Sequence, residues 1–192
     1  MVKMVTEFCP ENSSDWRRWL SKNHIQEDAI WLVLHKKSSP AYNLSWSEAV
    51  DEALCYGWID STKKTIDQNK YKQYFSKRKE KSNWSKVNKE KIKTLINKGL
   101  MQEAGYKSIA IAKENGSWDI LNDVENLILP SDLKKALRHA QNTLSFYEGL
   151  SKSKKKILIH WVSSAKRPET REKRILEIVE NASLKQLPKA FK

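Results

Sequence analysis

The sequence predicts an α+β protein in which a small antiparallel sheet with flanking helices precedes an all-α helical region. The amino-terminal part contains a six-residue apolar run and two extended segments around a turn, whereas only helical periodicity follows Pro130. Eight tryptophans among 192 residues indicate an ordered core, because disordered polybasic chains lack such aromatic content. We therefore expect two domains, residues 1–129 and residues 130–192.

The first predicted elements are a helix, a strand and a second helix. Trp16, Trp19 and Leu20 follow helical spacing, and this helix is expected to end near residue 23. The apolar run at residues 29–34 has the length and polar flanks of a buried strand. Ser45 and Glu48 then have the spacing of a capping box, which predicts the start of the second helix.

A β-hairpin is predicted next, between helices. Gly57 is suited to the left-handed end of the second helix, and residues 58–66 and 70–76 have the aromatic and β-branched content of strands. Asp67, Gln68 and Asn69 between them are typical of a turn. Two further helices are expected to end at glycines, and Val87, Ile92, Leu95 and Ile96 are expected to form the buried stripe of the first.

The carboxy-terminal region is predicted to be a set of short helices. An irregular connector at residues 118–128 leads to Pro130, and a proline at position 168 suits the first turn of the last helix. Helices this short are unstable alone in water, so they are expected to pack on one another. The predicted helices cover residues 131–140, 143–150, 154–165 and 168–182, and residues 183–192 are expected to be a loose tail.

The positive charge is concentrated around the predicted hairpin. Of a net charge of +13, residues 61–98 hold thirteen cations and only three anions. Lysine and arginine neutralise phosphates while aromatic rings stack on bases, so this pattern predicts an anion or nucleic-acid site, and the alternative is a solvated surface over core rings. The candidate binding residues are Lys63, Lys64, Lys70, Lys72, Tyr74, Lys77, Arg78, Lys79, Lys81 and Lys86.

Two smaller constellations offer other chemistry. Tyr56, Asp60 and Ser61 are candidates for a small-molecule pocket, since an acid beside a hydroxyl is able to transfer protons, although it can equally fix a loop by hydrogen bonds. In the helical region, Lys166, Arg167 and Arg171 are candidates for a second anion-binding edge near a helix amino terminus. The alternative there is a solvated helix pair.

The sequence lacks the motifs of several functional classes. The two cysteines are too few for a disulfide framework or a four-cysteine zinc site, and Cys55 is expected to be a buried apolar residue. The four histidines are scattered and glycine-rich phosphate loops are missing, so we expect neither metal nor cofactor. No apolar run spans a bilayer and the start lacks a secretory signal, so we expect a cytoplasmic protein without membrane contact.

The hairpin and helical motifs resemble a known family. Residues 53–61 (ALCYGWIDS), residues 82–85 (SNWS) and residues 165–171 (AKRPETR) are similar to the YdeI/OmpD-associated, or bacteriocin-protection, proteins. The resemblance covers about residues 12 to 182 and implies a YjbR/CyaY-like amino-terminal fold followed by a helical module. Lys77 departs from the proline that the family commonly has before arginine.

The resemblance implies no catalytic residues, so the expected role is non-catalytic protection against bacteriocins or envelope stress, executed by binding. Nucleic acid on the hairpin is the leading candidate partner. One alternative is an adaptor whose helical domain binds an acidic protein. Another is an enzyme with a small-molecule pocket near Asp60.

Overall fold

The computed structural model describes residues 5–191, which form two compact units, one ending at Asp119 and the other beginning at Ile120. This division precedes the one predicted at Pro130. The beginning of the chain, where a secretory signal was not expected, lies partly outside the described residues, as does Lys192 at the end of the predicted tail.

The amino-terminal unit combines strands and helices, which confirms the predicted α+β class. Its capping box is present: the Ser45 hydroxyl accepts from the Glu48 amide, and the Glu48 carboxylate accepts from the Ser45 amide. In chain order the elements are β1 (Glu7–Phe8), α1 (Ser13–Asn23), β2 (Ala29–His35), α2 (Trp46–Cys55), β3 (Trp58–Thr65), β4 (Lys70–Lys77), α3 (Lys86–Asn97) and α4 (Glu103–Glu114).

The sheet has the strand order β1-β2-β4-β3. The predicted hairpin is confirmed, because β3 and β4 pair in antiparallel fashion, and β4 pairs in the same way with β2. The prediction of an antiparallel sheet was wrong in one respect: β1 runs parallel to β2, so the sheet is mixed. A two-residue strand is too short to show a periodicity of its own, and only its pairing partner identifies it.

Large aromatic rings fill the core of this unit. Trp16, Trp58, Phe75 and Trp84 are almost fully buried, and the Trp16 indole N–H donates to the Ala49 carbonyl oxygen at 3.0 Å. Burying a ring with its polar group satisfied avoids the cost of an unpaired donor. The rings between the hairpin lysines therefore belong largely to the core, as expected.

Two predicted core positions in α3 were wrong. Val87 in the first turn of α3 is 61% exposed, and Ile96 near the end of the helix is also exposed. Ile92 and Leu95, in the middle of the helix, are buried. The hydrophobic type of a residue does not reveal that the ends of a helix extend past the surface on which its middle packs.

The carboxy-terminal unit is helical throughout its regular structure, and Pro168 lies in the first turn of its last helix as predicted. The connector contains one additional helical turn. The elements are α5 (Asn122–Glu125), α6 (Ser131–His139), α7 (Thr143–Glu148), α8 (Lys152–Ser163), α9 (Pro168–Ser183) and a 3₁₀ turn (Lys189–Phe191).

Within the described part of the predicted tail, residues 183–191, two apolar side chains are packed, which corrects the prediction of a loose tail. The Phe191 ring meets the Trp161 ring edge-on, with centroids 5.1 Å apart. Leu187 and Phe191 both contact the apolar cluster of this unit, which includes Leu133 and Leu158. Lysines flank both apolar residues in the sequence, so no hydrophobic pattern predicts that this segment packs.

Candidate functional site

The hairpin distributes its lysines over both faces of the sheet. Side chains alternate along a strand, and residues directly opposite on paired strands share a face. Lys64 lies opposite Lys72, whereas Lys63 lies opposite the buried Gln73 on the other face. The Lys63 ammonium stands 4.1 Å from the centroid of the Tyr71 ring. The predicted cations therefore do not form a single strip.

On one face, two lysines surround a pair of aromatic rings. Trp31 of β2 lies opposite Tyr74 of β4, with ring centroids 5.0 Å apart and nearly perpendicular planes. The ammonium groups of Lys64 and Lys72 lie 5.0 and 5.2 Å from the centroid of the Trp31 ring. Lys64 is exposed and the other three side chains are half-buried. We call these four residues the aromatic–lysine face.

The lysine pair of this face carries an electrostatic cost. Like charges directly opposite one another on neighbouring strands destabilise a sheet, although cation–π contacts with a ring offset part of the repulsion. Glu7 of β1 forms an ion pair with Lys72, and Lys64 has no ion-pair partner among the residues that the structure describes. The face therefore retains unneutralised positive charge beside its two half-buried rings.

Other hairpin cations have acidic neighbours or lie beyond the strands. Exposed ion pairs contribute only about 0–1 kcal/mol, so they reduce the local charge without fixing these side chains firmly. Lys79 and Lys81 follow β4 and are exposed, and Lys86 begins α3. Lys70 pairs with Asp67 at 3.8 Å, and Lys77 pairs with Asp28 at 2.9 Å.

The three candidate pocket residues do not share one lining. The Asp60 carboxylate accepts hydrogen bonds from the Trp46 indole at 2.8 Å and from the Gln73 amide at 3.1 Å. That amide also donates to the Ser61 carbonyl oxygen, beside an irregularity in the β3–β4 register. Asp60 thus satisfies a buried amide, while Tyr56 lines a separate cleft in which neither Asp60 nor Ser61 takes part.

This cleft has a volume of about 520 Å³. One wall is α4, which contributes side chains one turn apart, and another is the segment that follows β4. Gly57 has φ +72°, and a Cβ there would lie 2.8 Å from the Ala104 carbonyl oxygen, so glycine permits both the left-handed turn and the close approach of α4. Gly105 of α4 permits the same close approach from the other side, because an added Cβ there would clash with the Cys55 carbonyl oxygen.

Arg78 lines the cleft in an unusual electrostatic environment. Its guanidinium carbon lies 3.6 Å from the centroid of the Trp84 ring, and Nη2 donates to the Asn83 carbonyl oxygen. Nε and Nη1 are buried and make no hydrogen bond within the described part of the chain. Burial lowers the pKa of Arg78 to about 10, partly offset by the charge of Asp60, so the group stays protonated at neutral pH.

A second polar group in the cleft also has no partner. The Ser108 hydroxyl on α4 is buried and without a hydrogen bond among the described residues. Leaving a buried donor unsatisfied costs about 1–3 kcal/mol, and more for a charged group. Two of the residues that line this cleft, Arg78 and Ser108, therefore hold buried hydrogen-bonding groups without a partner among the described residues.

The basic edge of the helical unit is arranged differently. Arg171 donates to both carboxylate oxygens of Asp132, at 2.6 and 2.9 Å, and to the Val162 carbonyl oxygen at 3.1 Å. The Arg171 hydrogen bond lowers the pKa of Asp132. Lys166 and Arg167 are exposed before α9. Arg171 of α9 thus links α9 to α6 and α8. Lys166 and Arg167 are the two cations of this edge that are left exposed.

The cysteines and metal-ligating residues give no further site. Cys55 is buried, as predicted, and burial raises the pKa of its thiol, so it lacks the thiolate character of a nucleophile. Among residues 5–191 no three His, Cys, Asp or Glu side chains are grouped as metal ligands. None of the described helices is long and apolar enough to cross a membrane.

Sequence reasoning missed two of the site residues. Trp31 belongs to an apolar run that was predicted to be buried, yet Ile30, Leu32 and Leu34 face the core while Trp31 alternates away from them. Trp31 gave no signal in the sequence, because the run is apolar throughout and Val33, which shares the face of Trp31, is itself buried. Ser108 gave none, because its position in the cleft depends on the approach of α4 to Gly57.

Comparisons with known proteins agree with this division into two parts. Residues 126–184 match the family model described as bacteriocin-protection, YdeI or OmpD-associated (OmdA), which confirms the resemblance noted in the helical region. No curated protein and no solved structure matches the chain. Residues 8–108 match the model described as a domain of unknown function (DUF8412), which corrects the predicted YjbR/CyaY-like assignment. This match spans more than half of the chain, which therefore belongs to the DUF8412 family.

Proposed function

We propose that this protein has a non-catalytic role of the bacteriocin-protection type and acts by binding an anionic ligand on the aromatic–lysine face, with single-stranded nucleic acid as the leading candidate. The match of residues 126–184 to the bacteriocin-protection model supports the general role. It does not name a ligand, so the ligand class rests on the geometry of the sheet.

The observation that carries the proposal is the position of Lys64 directly opposite Lys72, with both ammonium groups near the Trp31 ring. A phosphate between the two lysines would relieve their repulsion. The adjacent Trp31 and Tyr74 rings offer apolar surface for a base, and stacking of a base on an aromatic side chain contributes about 1–3 kcal/mol. Duplex bases are already stacked, so single strands suit such a surface better.

The other two functional hypotheses receive weaker support. An adaptor based on the helical basic edge would use Arg171, but Asp132 already occupies that guanidinium. A reaction centred on Asp60 would use a carboxylate that holds Trp46 and Gln73 in place. We therefore favour the aromatic–lysine face over both.

Fluorescence anisotropy with a labelled oligothymidylate of about 15 nucleotides tests the proposal. We expect binding at low salt, with a log–log salt slope near −2 if about three phosphates are neutralised. Trp31→Ala should weaken binding about tenfold or more, and Lys64→Gln severalfold. Thermal melting of each variant checks that the fold is retained.

The matched control is Lys166→Gln, which removes an exposed lysine from the helical unit. Binding should be unchanged in this variant. No binding at about 50 mM salt would contradict the proposal, because electrostatic association is strongest when few counterions compete. Equal losses in Lys64→Gln and Lys166→Gln would show that net charge, and not this face, attracts the oligonucleotide.

A further inference from the structure

The cleft beside Arg78 is separate from the aromatic–lysine face and shares no residue with it. Its walls come from the turn at Tyr56 and Gly57, the segment after β4, and α4. All of these segments lie in the amino-terminal unit. The cleft therefore requires its own explanation, independent of the proposed function.

The unused hydrogen-bond donors of the cleft define the chemistry of an occupant. Arg78 leaves Nε and Nη1 without acceptors, and Ser108 leaves its hydroxyl without a partner, among the described residues. An arginine nitrogen is only a donor, so the missing group must be an acceptor. Hydrogen bonds from a charged donor to an oxyanion are roughly twice as strong as neutral ones, which favours a carboxylate or phosphate oxygen.

The charges around the cleft are compatible with an anion. Lys77 is already engaged by Asp28 and by the Ile25 carbonyl oxygen. Lys79 and Lys107 are exposed cations of the lining, against the two carboxylates of Glu80 and Glu103. Together with Arg78, the residues that line the cleft carry a net positive charge. The Arg78 guanidinium stays protonated at neutral pH.

The size and apolar part of the cleft exclude a bare ion as a complete fit. A volume of about 520 Å³ lies within the range of about 300–1,000 Å³ that is usual for small-molecule sites. Tyr56, Ala104 and Ile111 contribute apolar surface to the lining. An occupant that fills this space has an organic body as well as an anionic group.

We infer that the Arg78 cleft binds a small organic molecule through a carboxylate or phosphate group. Arg78 and Ser108 donate to the oxyanion, and Tyr56 and Ile111 contact its apolar body. Trp84 holds the guanidinium plane in place, since its ring lies against it. The protein thus contains two anion sites of different kinds, an open face for a polymer and a cleft for a small molecule.

Calorimetric titration of the full chain with benzoate, phenyl phosphate and inorganic phosphate tests this inference. We expect both organic probes to bind, and inorganic phosphate to bind more weakly because it lacks the apolar body. Arg78→Met should reduce the affinity for the organic probes at least tenfold, and Ser108→Ala about three- to tenfold. Lys64→Gln is the control and should bind both probes like the wild type.

A measurement on the unaltered protein covers the case in which Arg78→Met fails to fold. The Arg78 Nε–H resonance, assigned by NMR, should shift as phenyl phosphate is added and should saturate with the calorimetric isotherm. Failure of every probe to bind at about 10 mM, where even a millimolar site is mostly filled, would overturn the inference. Undiminished binding by Ser108→Ala together with an unmoved Arg78 resonance would overturn it equally.

The variants separate the two anion sites. Ser108→Ala should leave oligothymidylate binding unchanged, and Lys64→Gln should leave benzoate binding unchanged. Loss of one activity without the other shows which site has failed.

Discussion

Arg78 of the sheet-containing unit and Arg171 of the helical unit show how differently two cations of one basic chain are used. Arg171 has a carboxylate on two of its nitrogens and a backbone carbonyl as well. Arg78 has one carbonyl oxygen and an aromatic ring, and two of its nitrogens have no acceptor within residues 5–191. The difference lies in whether a carboxylate stands within hydrogen-bond distance.

This contrast indicates where hydrogen-bonding groups are left unsatisfied at a cost in stability. A guanidinium that is satisfied internally joins helices and has little left to offer a ligand. A guanidinium that is buried without its full set of acceptors destabilises the free protein and is complementary to an anion that is not part of the chain. Charge clusters of similar appearance in sequence therefore predict different properties once their neighbours are known.

Each unit also has a tryptophan ring beside an arginine, Trp84 beside Arg78 and Trp161 beside Arg174, and these two rings provide the largest test of the difference between the units. Trp84 is buried, and the centroid of its ring lies 4.9 Å from that of Trp118. Trp161, which lies beside Arg174, is only half-buried. We expect Trp84→Ala to lower the free energy of unfolding by about 3–5 kcal/mol, and Trp161→Ala by about half as much. Urea unfolding of both variants measures this. A cost for Trp84→Ala no larger than that for Trp161→Ala would show that the ring beneath Arg78 is not part of the core.

Replacing the two arginines by methionine sharpens the comparison directly. We expect Arg171→Met to cost about 1 kcal/mol, because Asp132 loses both of its charged hydrogen bonds. Arg78→Met should lie within about 0.5 kcal/mol of the wild type or be more stable, since methionine removes buried donors that have no acceptor.

Urea unfolding in buffer free of phosphate and carboxylates compares these two variants. Melting curves should then show that benzoate raises the stability of the wild type and of Arg171→Met, but not that of Arg78→Met. A loss in Arg78→Met equal to that in Arg171→Met would mean that Arg78 is a structural cation of the same kind.

The smallest expected effect is the pH dependence that Asp132 contributes. The Arg171 hydrogen bond lowers the pKa of Asp132 in the folded state below its unfolded value of about 3.9. The contribution to stability is therefore complete above the unfolded pKa and is lost as pH falls through the folded one. Asp132→Asn should be less stable than the wild type at pH 7, and the two should converge at acidic pH. A constant difference in the free energy of unfolding between pH 7 and pH 3 would contradict this.

Much of the fold was predictable because it depends on motifs formed by residues close together in the sequence. The Ser45–Glu48 capping box, the turn at residues 67–69 and the proline at the start of α9 each depend on residues within a few positions of one another. Val87 and Phe191 were assigned wrongly because their burial depends on distant parts of their own units. The parallel pairing of β1 has the same cause, since two residues carry no pattern.

The candidate sites were predictable in composition but not in arrangement. The density of lysine, arginine and aromatic residues around the hairpin placed Lys64, Lys72, Tyr74 and Arg78 among the candidate binding residues, and their role in binding stays a prediction. It gave no indication that Arg78 lies in a cleft while the other three lie on an open face. Alternation along β4 and the approach of α4 to Gly57 cause that separation.

The order of residues by itself determined the α+β class, the hairpin, the helical second part and the concentration of positive charge, because propensity, capping and periodicity act over short distances. Only the tertiary structure decided which cations acquired a carboxylate and which were left with unused donors, because hydrogen bonds form between groups that packing brings within about 3 Å. Arg171 of α9 forms an ion pair with Asp132 of α6. Arg78 lies against the Trp84 ring and lines a cleft.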